Sequence, residues 1–110
     1  MAFYESIFIT RQELTDSDIK NTISSFKKII ENNNSKLIDT ESWGLRNLAY
    51  KIEKNKKGNY IVLKIDGNGE AINELERNMK IDENIIRYLS IKTKSINNEP
   101  SILAKKVEEK

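Results

Sequence analysis

The chain has 110 residues, 37% of them hydrophobic and 33% charged, with a formal net charge of +2. That length fits one domain with one modest core beneath a heavily solvated surface. Cysteine and histidine are both absent, which excludes disulfides and the common zinc sites and removes the usual general acid–base side chain.

Residues 3–9, FYESIFI, are aromatic and β-branched and predict a first strand. In the next segment Thr15 is followed three residues later by Asp18, an N-terminal capping box, with Leu14 and Ile19 placed as a hydrophobic staple. Ile19, Ile23, Phe26 and Ile30 recur at helical spacing, and Asn32 to Asn34 supply a stop. Residues 36–52 read as a long strand with a bulge at Gly44. EKNKKGN is predicted as a turn, and YIVLKID as a second strand of a hairpin. Beyond Gly67 and Gly69, Ile72, Leu75 and Met79 share a helical face, and residues 85–93 form a last strand.

The order β-α-β-β-α-β predicts an α+β, ferredoxin-like split βαβ fold. Its four-stranded antiparallel sheet carries both helices on one face. The domain is expected over residues 1–94, with a mobile tail at 95–110. The opening MAFYESIFITRQE lacks a signal-peptide pattern, and no apolar run nears the ~20 residues that span a bilayer. The expectation is a soluble, cytoplasmic protein without a membrane partner.

Enzyme chemistry finds little support. Gly67 and Gly69 in DGNGEA match neither phosphate-loop pattern; a strand-to-helix turn with Gly67 at an unusual dihedral explains them. The loop also lacks the twelve-residue spacing of a calcium site. Arg11 in TRQELTD stands without the glycines an acylphosphatase-like loop needs. No catalytic residue, metal ligand, cofactor or small-molecule substrate is expected.

Nucleic-acid contact is the second class. KGNYIVLKI, residues 57–65, has the position and opening Lys-Gly of an RNA-recognition strand. The positions that should carry stacking aromatics hold Asn59, Ile61 and Lys64. Base readout is therefore not expected, and backbone contact by Lys54, Lys56, Lys57, Arg87, Lys92 and Lys94 is. The same lysines suit a solvated hairpin tip and a guarded sheet edge equally well.

Protein contact is the third class. Ile61, Leu63 and Ile65 alternate with Tyr60 and Val62, and Ile85, Leu89 and Ile91 with Ile86 and Tyr88. One sheet face has no helical cover, so its apolar set is expected to be partly exposed to a partner. Trp43, Tyr50, Tyr60 and Tyr88 are the candidate partner-binding aromatics. Trp43 equally suits ordinary cross-strand packing.

The YE pair near the start, ESWGLRNLAYKI with its basic turn and G-x-Y, INELER, and IDENIIRYLSIK follow in order over residues 3–94. Together they resemble the bacterial small-subunit ribosomal protein S-six family. WGLRNLAY is the most specific part, close to the pattern W/L-G-x-R-x-L-A-Y. The resemblance implies a structural constituent of the small ribosomal subunit. It also implies binding to the central domain of small-subunit ribosomal RNA, as a heterodimer with the eighteenth small-subunit ribosomal protein. Arg46 and Tyr50 match the signature arginine and tyrosine, and Arg87 the last-strand arginine, which adds Arg46 to the candidate RNA contacts. Ala2 and Phe3 stand where many relatives carry basic residues, and KKVEEK replaces an acidic tail. The alternative is a free-standing ferredoxin-like interaction or ligand-binding regulatory module.

Overall fold

The structure, a computed structural model, describes residues 2–52 and 55–93. The elements follow the order β1 (Ala2–Arg11), α1 (Asp16–Asn32), β2 (Lys36–Ile52), β3 (Asn55–Gly67), α2 (Gly69–Ile81) and β4 (Ile85–Thr93). The sheet order is β2-β3-β1-β4, and every neighbouring pair is antiparallel. Each βαβ unit is thus split by one inserted strand, which is the ferredoxin-like arrangement. The predicted tail, 95–110, lies outside the described residues.

Local chemistry sets the helices. At the start of α1, the Thr15 hydroxyl accepts from the Asp18 amide and the Asp18 carboxylate accepts from the Thr15 amide, both at 3.1 Å. This reciprocal pair satisfies two of the amides a helix start leaves unpaired. The helix ends at an Asn33 cap, and Asn34 takes a left-handed φ of 58°. Asn68 caps α2 by accepting from the Ala71 amide at 2.8 Å.

Both helices lie on one sheet face. Phe26 and Ile30 of α1 and Ile72, Leu75 and Met79 of α2 close over Phe8, Ile61, Leu63 and Ile65. Phe8 meets Phe26 edge to face, with ring centroids 5.3 Å apart at 88°. That geometry sets the positive edge of one ring against the negative face of the other. Among the described residues, no helix is long and apolar enough to cross a membrane.

Several expectations require correction. The β2–β3 ladder continues through Asn47↔Lys57 to Ile52↔Asn55, so Lys57 lies on a strand and not in a loop. Backbone pairing with a long partner strand outweighs the poor strand preference of Lys and Asn. Gly58 is correspondingly a strand residue. A Cβ there would collide with the Ile9 side chain and stand 3.0 Å from the Thr10 carbonyl oxygen. Gly67 has no positive φ; a Cβ on it would strike Ser35, so close approach of β3 to the α1–β2 link is what requires glycine. Arg11 is tied to the α2–β4 link, its Nε donating to the Glu83 carbonyl at 2.8 Å.

The last strand also departs from simple alternation. Register shifts between Ile9 and Thr10, so that Ile9 faces Arg87 and Thr10 faces Ile85, leaving Ile86 as an extra residue. Ile85 and Tyr88 therefore pack into the helix-side core, while Ile86 and Ile91 join the opposite face. A bulge inserts one residue and reverses the parity beyond it.

Candidate nucleic-acid interface

The helix-free face is built around Tyr60 and Val62 of β3 and Ile7 and Ile9 of β1, with Trp43, Ile86 and Ile91 at its flanks. The central residues were expected to be partly exposed, but Tyr60 is only 4% exposed and Val62 fully buried. Side chains from the two outer strands fold inward over the central pair and replace a helical layer. Tyr60 cannot offer its own ring to a partner; it supports Trp43. Tyr88, also proposed for partner contact, packs on the opposite, helix-covered side.

One irregularity organises this face. Ser42 pairs with Ile61 and Gly44 with Tyr60, so Trp43 is the extra residue of a bulge. Gly44 takes a φ of 74°, which glycine adopts freely. Residues three apart on a regular strand point to opposite faces. The bulge cancels that rule and brings Arg46 to the face of Trp43. The Trp43 indole stacks on Tyr60 with centroids 5.9 Å apart and 20° between planes. The Arg46 guanidinium carbon lies over the indole, 5.7 Å from its centroid, and Nε donates to the Trp43 carbonyl at 3.2 Å. Trp43 itself donates through Nε1 to Glu41 Oε1 at 2.6 Å. The other Glu41 oxygen lies 3.5 Å from the ammonium of Lys64, whose side chain is 4% exposed.

Arg87 enters the same face from β4. Its register partner Ile9 pairs in turn with Tyr60, so the row across the sheet runs Gly44, Tyr60, Ile9, Arg87. Both arginines act on the Tyr60 phenol. Burial pushes its pKa above the ordinary 10.0, while Arg46 and Arg87 pull the other way. A group that binds its proton more tightly when folded adds stability below its unfolded pKa and loses it as pH rises through the folded one. Denaturant midpoints of the wild-type protein should therefore fall above about pH 10, more steeply than those of Tyr60→Phe. Parallel curves would place the phenol in free solvent.

The remaining predicted contacts divide. Lys57 is exposed but shares the parity of Asn59 and Ile61, on the side of the helices. Lys92 is exposed opposite Tyr4, again on the helix side. Lys54 and Lys94 lie outside the described residues, and Tyr50 and Lys56 are described by backbone position alone, in β2 and β3. The structure thus brings together Arg46, Arg87, Trp43 and Tyr60. Sequence reasoning missed Glu41 and the structural role of Lys64. The available signal was a lysine in the alternating set Tyr60, Val62, Lys64, where a buried cation demands a carboxylate. Among the described residues, no group of three or more carboxylates could hold a metal ion.

The fold and the site together define a ferredoxin-like α+β domain whose helix-free face carries stacked rings, two guanidinium groups and the ion pair of buried Lys64 with Glu41. Residues 3–92 match the family model for ribosomal protein S6. The chain is 52% identical to small ribosomal subunit protein bS6 of Rickettsia felis, over 96% of its own length and 87% of that protein's. It is 53% identical to the bS6 of Rickettsia prowazekii over the same shares. The crystal structure of 30S ribosomal protein S6 from Thermotoga maritima superposes with a TM-score of 0.77 at 31% identity. That match covers 84% of this chain and 87% of the other. The chain belongs to the ribosomal protein S6 family. It is a structural protein of the small ribosomal subunit, not an enzyme, and its place is the ribosome of the bacterial cytoplasm.

Proposed function

We propose that this chain binds the central domain of small-subunit ribosomal RNA cooperatively with the eighteenth small-subunit ribosomal protein. The observation that carries this reading is the convergence of Arg46 and Arg87, from β2 and β4, on the helix-free face around Tyr60. Guanidinium groups are always charged and match phosphate geometry, so two of them on one face suit a folded RNA backbone. With a net charge of only +2, the chain offers few phosphate contacts alone. A second protein would pool its cations with these and share the counterion release that drives binding. Leu89, half exposed on β4 between Ile86 and Ile91, leaves part of the same face apolar for that protein.

Filter binding of the central-domain RNA, with and without the eighteenth protein, tests the reading. Binding is expected to be weak with either protein alone and to tighten by more than tenfold with both, a coupling of about 1.4 kcal/mol or more. Arg46→Ala should weaken the ternary complex while the folded protein persists. Tight, specific binding by this chain alone would overturn the cooperative reading.

A further inference from the structure

We infer that Glu41 is a positioning residue for the Arg46 contact, acting through Trp43. The inference rests on the reading that Arg46 meets RNA. Lys64 is 3% exposed and needs a fixed counter-charge. Its neighbours across the ladder are Glu5 on β1, itself 6% exposed, and Asp39 on β2; Glu41 reaches its ammonium at 3.5 Å. That attachment leaves Glu41 Oε1 to accept the indole N–H at 2.6 Å, a charge-assisted hydrogen bond.

The indole is thereby held at its nitrogen by Glu41 and on its ring by Tyr60, 5.9 Å away. Arg46 rests on this fixed plane, through its guanidinium at 5.7 Å and through Nε to the Trp43 carbonyl. A guanidinium that is already oriented loses less freedom on meeting a phosphate than one that samples many rotamers. Lys64, Glu41, Trp43 and Arg46 form one chain of contacts, and its buried end fixes the geometry of its outer end. Glu41 touches no ligand in this scheme.

Trp43 is the only tryptophan of the chain, so its emission reports the indole environment directly. Glu41→Gln removes the charge that pairs with Lys64 and strengthens the indole hydrogen bond. It should red-shift Trp43 emission, raise acrylamide quenching, and weaken binding of the central-domain RNA, with the eighteenth protein present, by about threefold to tenfold. In an Arg46→Ala background the same substitution should add less than about twofold, because coupled residues are not additive. A merely structural role would leave the two losses additive, and that result overturns the inference, as does unchanged emission. Where Glu41→Gln fails to fold, Trp43→Phe removes the indole hydrogen bond outright and leaves the Lys64–Glu41 pair intact; full affinity in that variant also overturns it. Wild-type affinity in Arg46→Ala would instead sink the RNA reading, while the emission shift still decides whether Glu41 holds the indole.

Discussion

Phe8→Ala is expected to cost about 3–5 kcal/mol of folding stability, the range for truncating a fully buried aromatic. Phe8 lies on β1 with β3 on one side and β4 on the other, and it has no exposed surface. The Phe26 ring stands edge-on to it at 5.3 Å, so the truncation removes both its own burial and a ring contact. The surrounding residues come from α1, α2 and the central strands, and a paired sheet cannot collapse into the space. A domain of this size has roughly 5–15 kcal/mol in total, so the variant should be marginally stable at 25 °C. Urea denaturation followed by circular dichroism measures the loss. A cost near 1 kcal/mol would show that the helices close over the cavity.

Gly44→Val should reduce both stability and RNA affinity, for a reason that involves no steric contact. A Cβ at Gly44 meets nothing within 4 Å, but the backbone holds a φ of 74°. A β-branched residue in that region costs about 1–3 kcal/mol. Relaxing the strain means removing the bulge, and a regular strand would send Arg46 to the opposite face from Trp43. Loss of affinity should therefore accompany the loss of stability, with red-shifted Trp43 emission. Gly69→Ala is the control: that position is also open, has no positive φ, and begins α2. Alanine there should be neutral or stabilising by up to about 1 kcal/mol. Equal losses at Gly44 and Gly69 would refute the role assigned to the bulge.

Local rules read the secondary structure well because the relevant signals lie a few residues apart. Thr15 and Asp18 announce the first helix, and Ile19, Ile23, Phe26 and Ile30 define its buried face, as the structure has it. The bounds of β2 and β4 agree with the strand patterns at 36–52 and 85–93. The start of β3 was not legible, since Asn55 and Lys57 are held in the ladder by β2 and not by their own preference. The need for glycine at 67 is illegible for a similar reason: its constraint is a side chain on Ser35, 32 positions earlier in the chain.

The candidate site was legible only as a set of residue types. Trp43, Arg46, Tyr60 and Arg87 stand out in the sequence as aromatic or cationic residues in strands, but Lys57 and Lys92 looked equally suitable. Strand register divides them, placing Arg46 and Arg87 on the helix-free face and the two lysines on the other. Glu41 carried no local mark at all. Its importance comes from being the carboxylate that reaches both Lys64 and Trp43.

By itself, the sequence determined the element order, the capped helices, the apolar strands and the absence of cysteine and histidine chemistry. Those follow from composition and from spacings of two, three and four residues along one chain. Tertiary structure decided which side chains share a face, because that depends on register and on single-residue bulges at Trp43 and Ile86. One inserted residue reverses every side chain beyond it. The helix-free face depends on two such insertions; Gly44 marks the first in the sequence, and no residue type marks the one at Ile86.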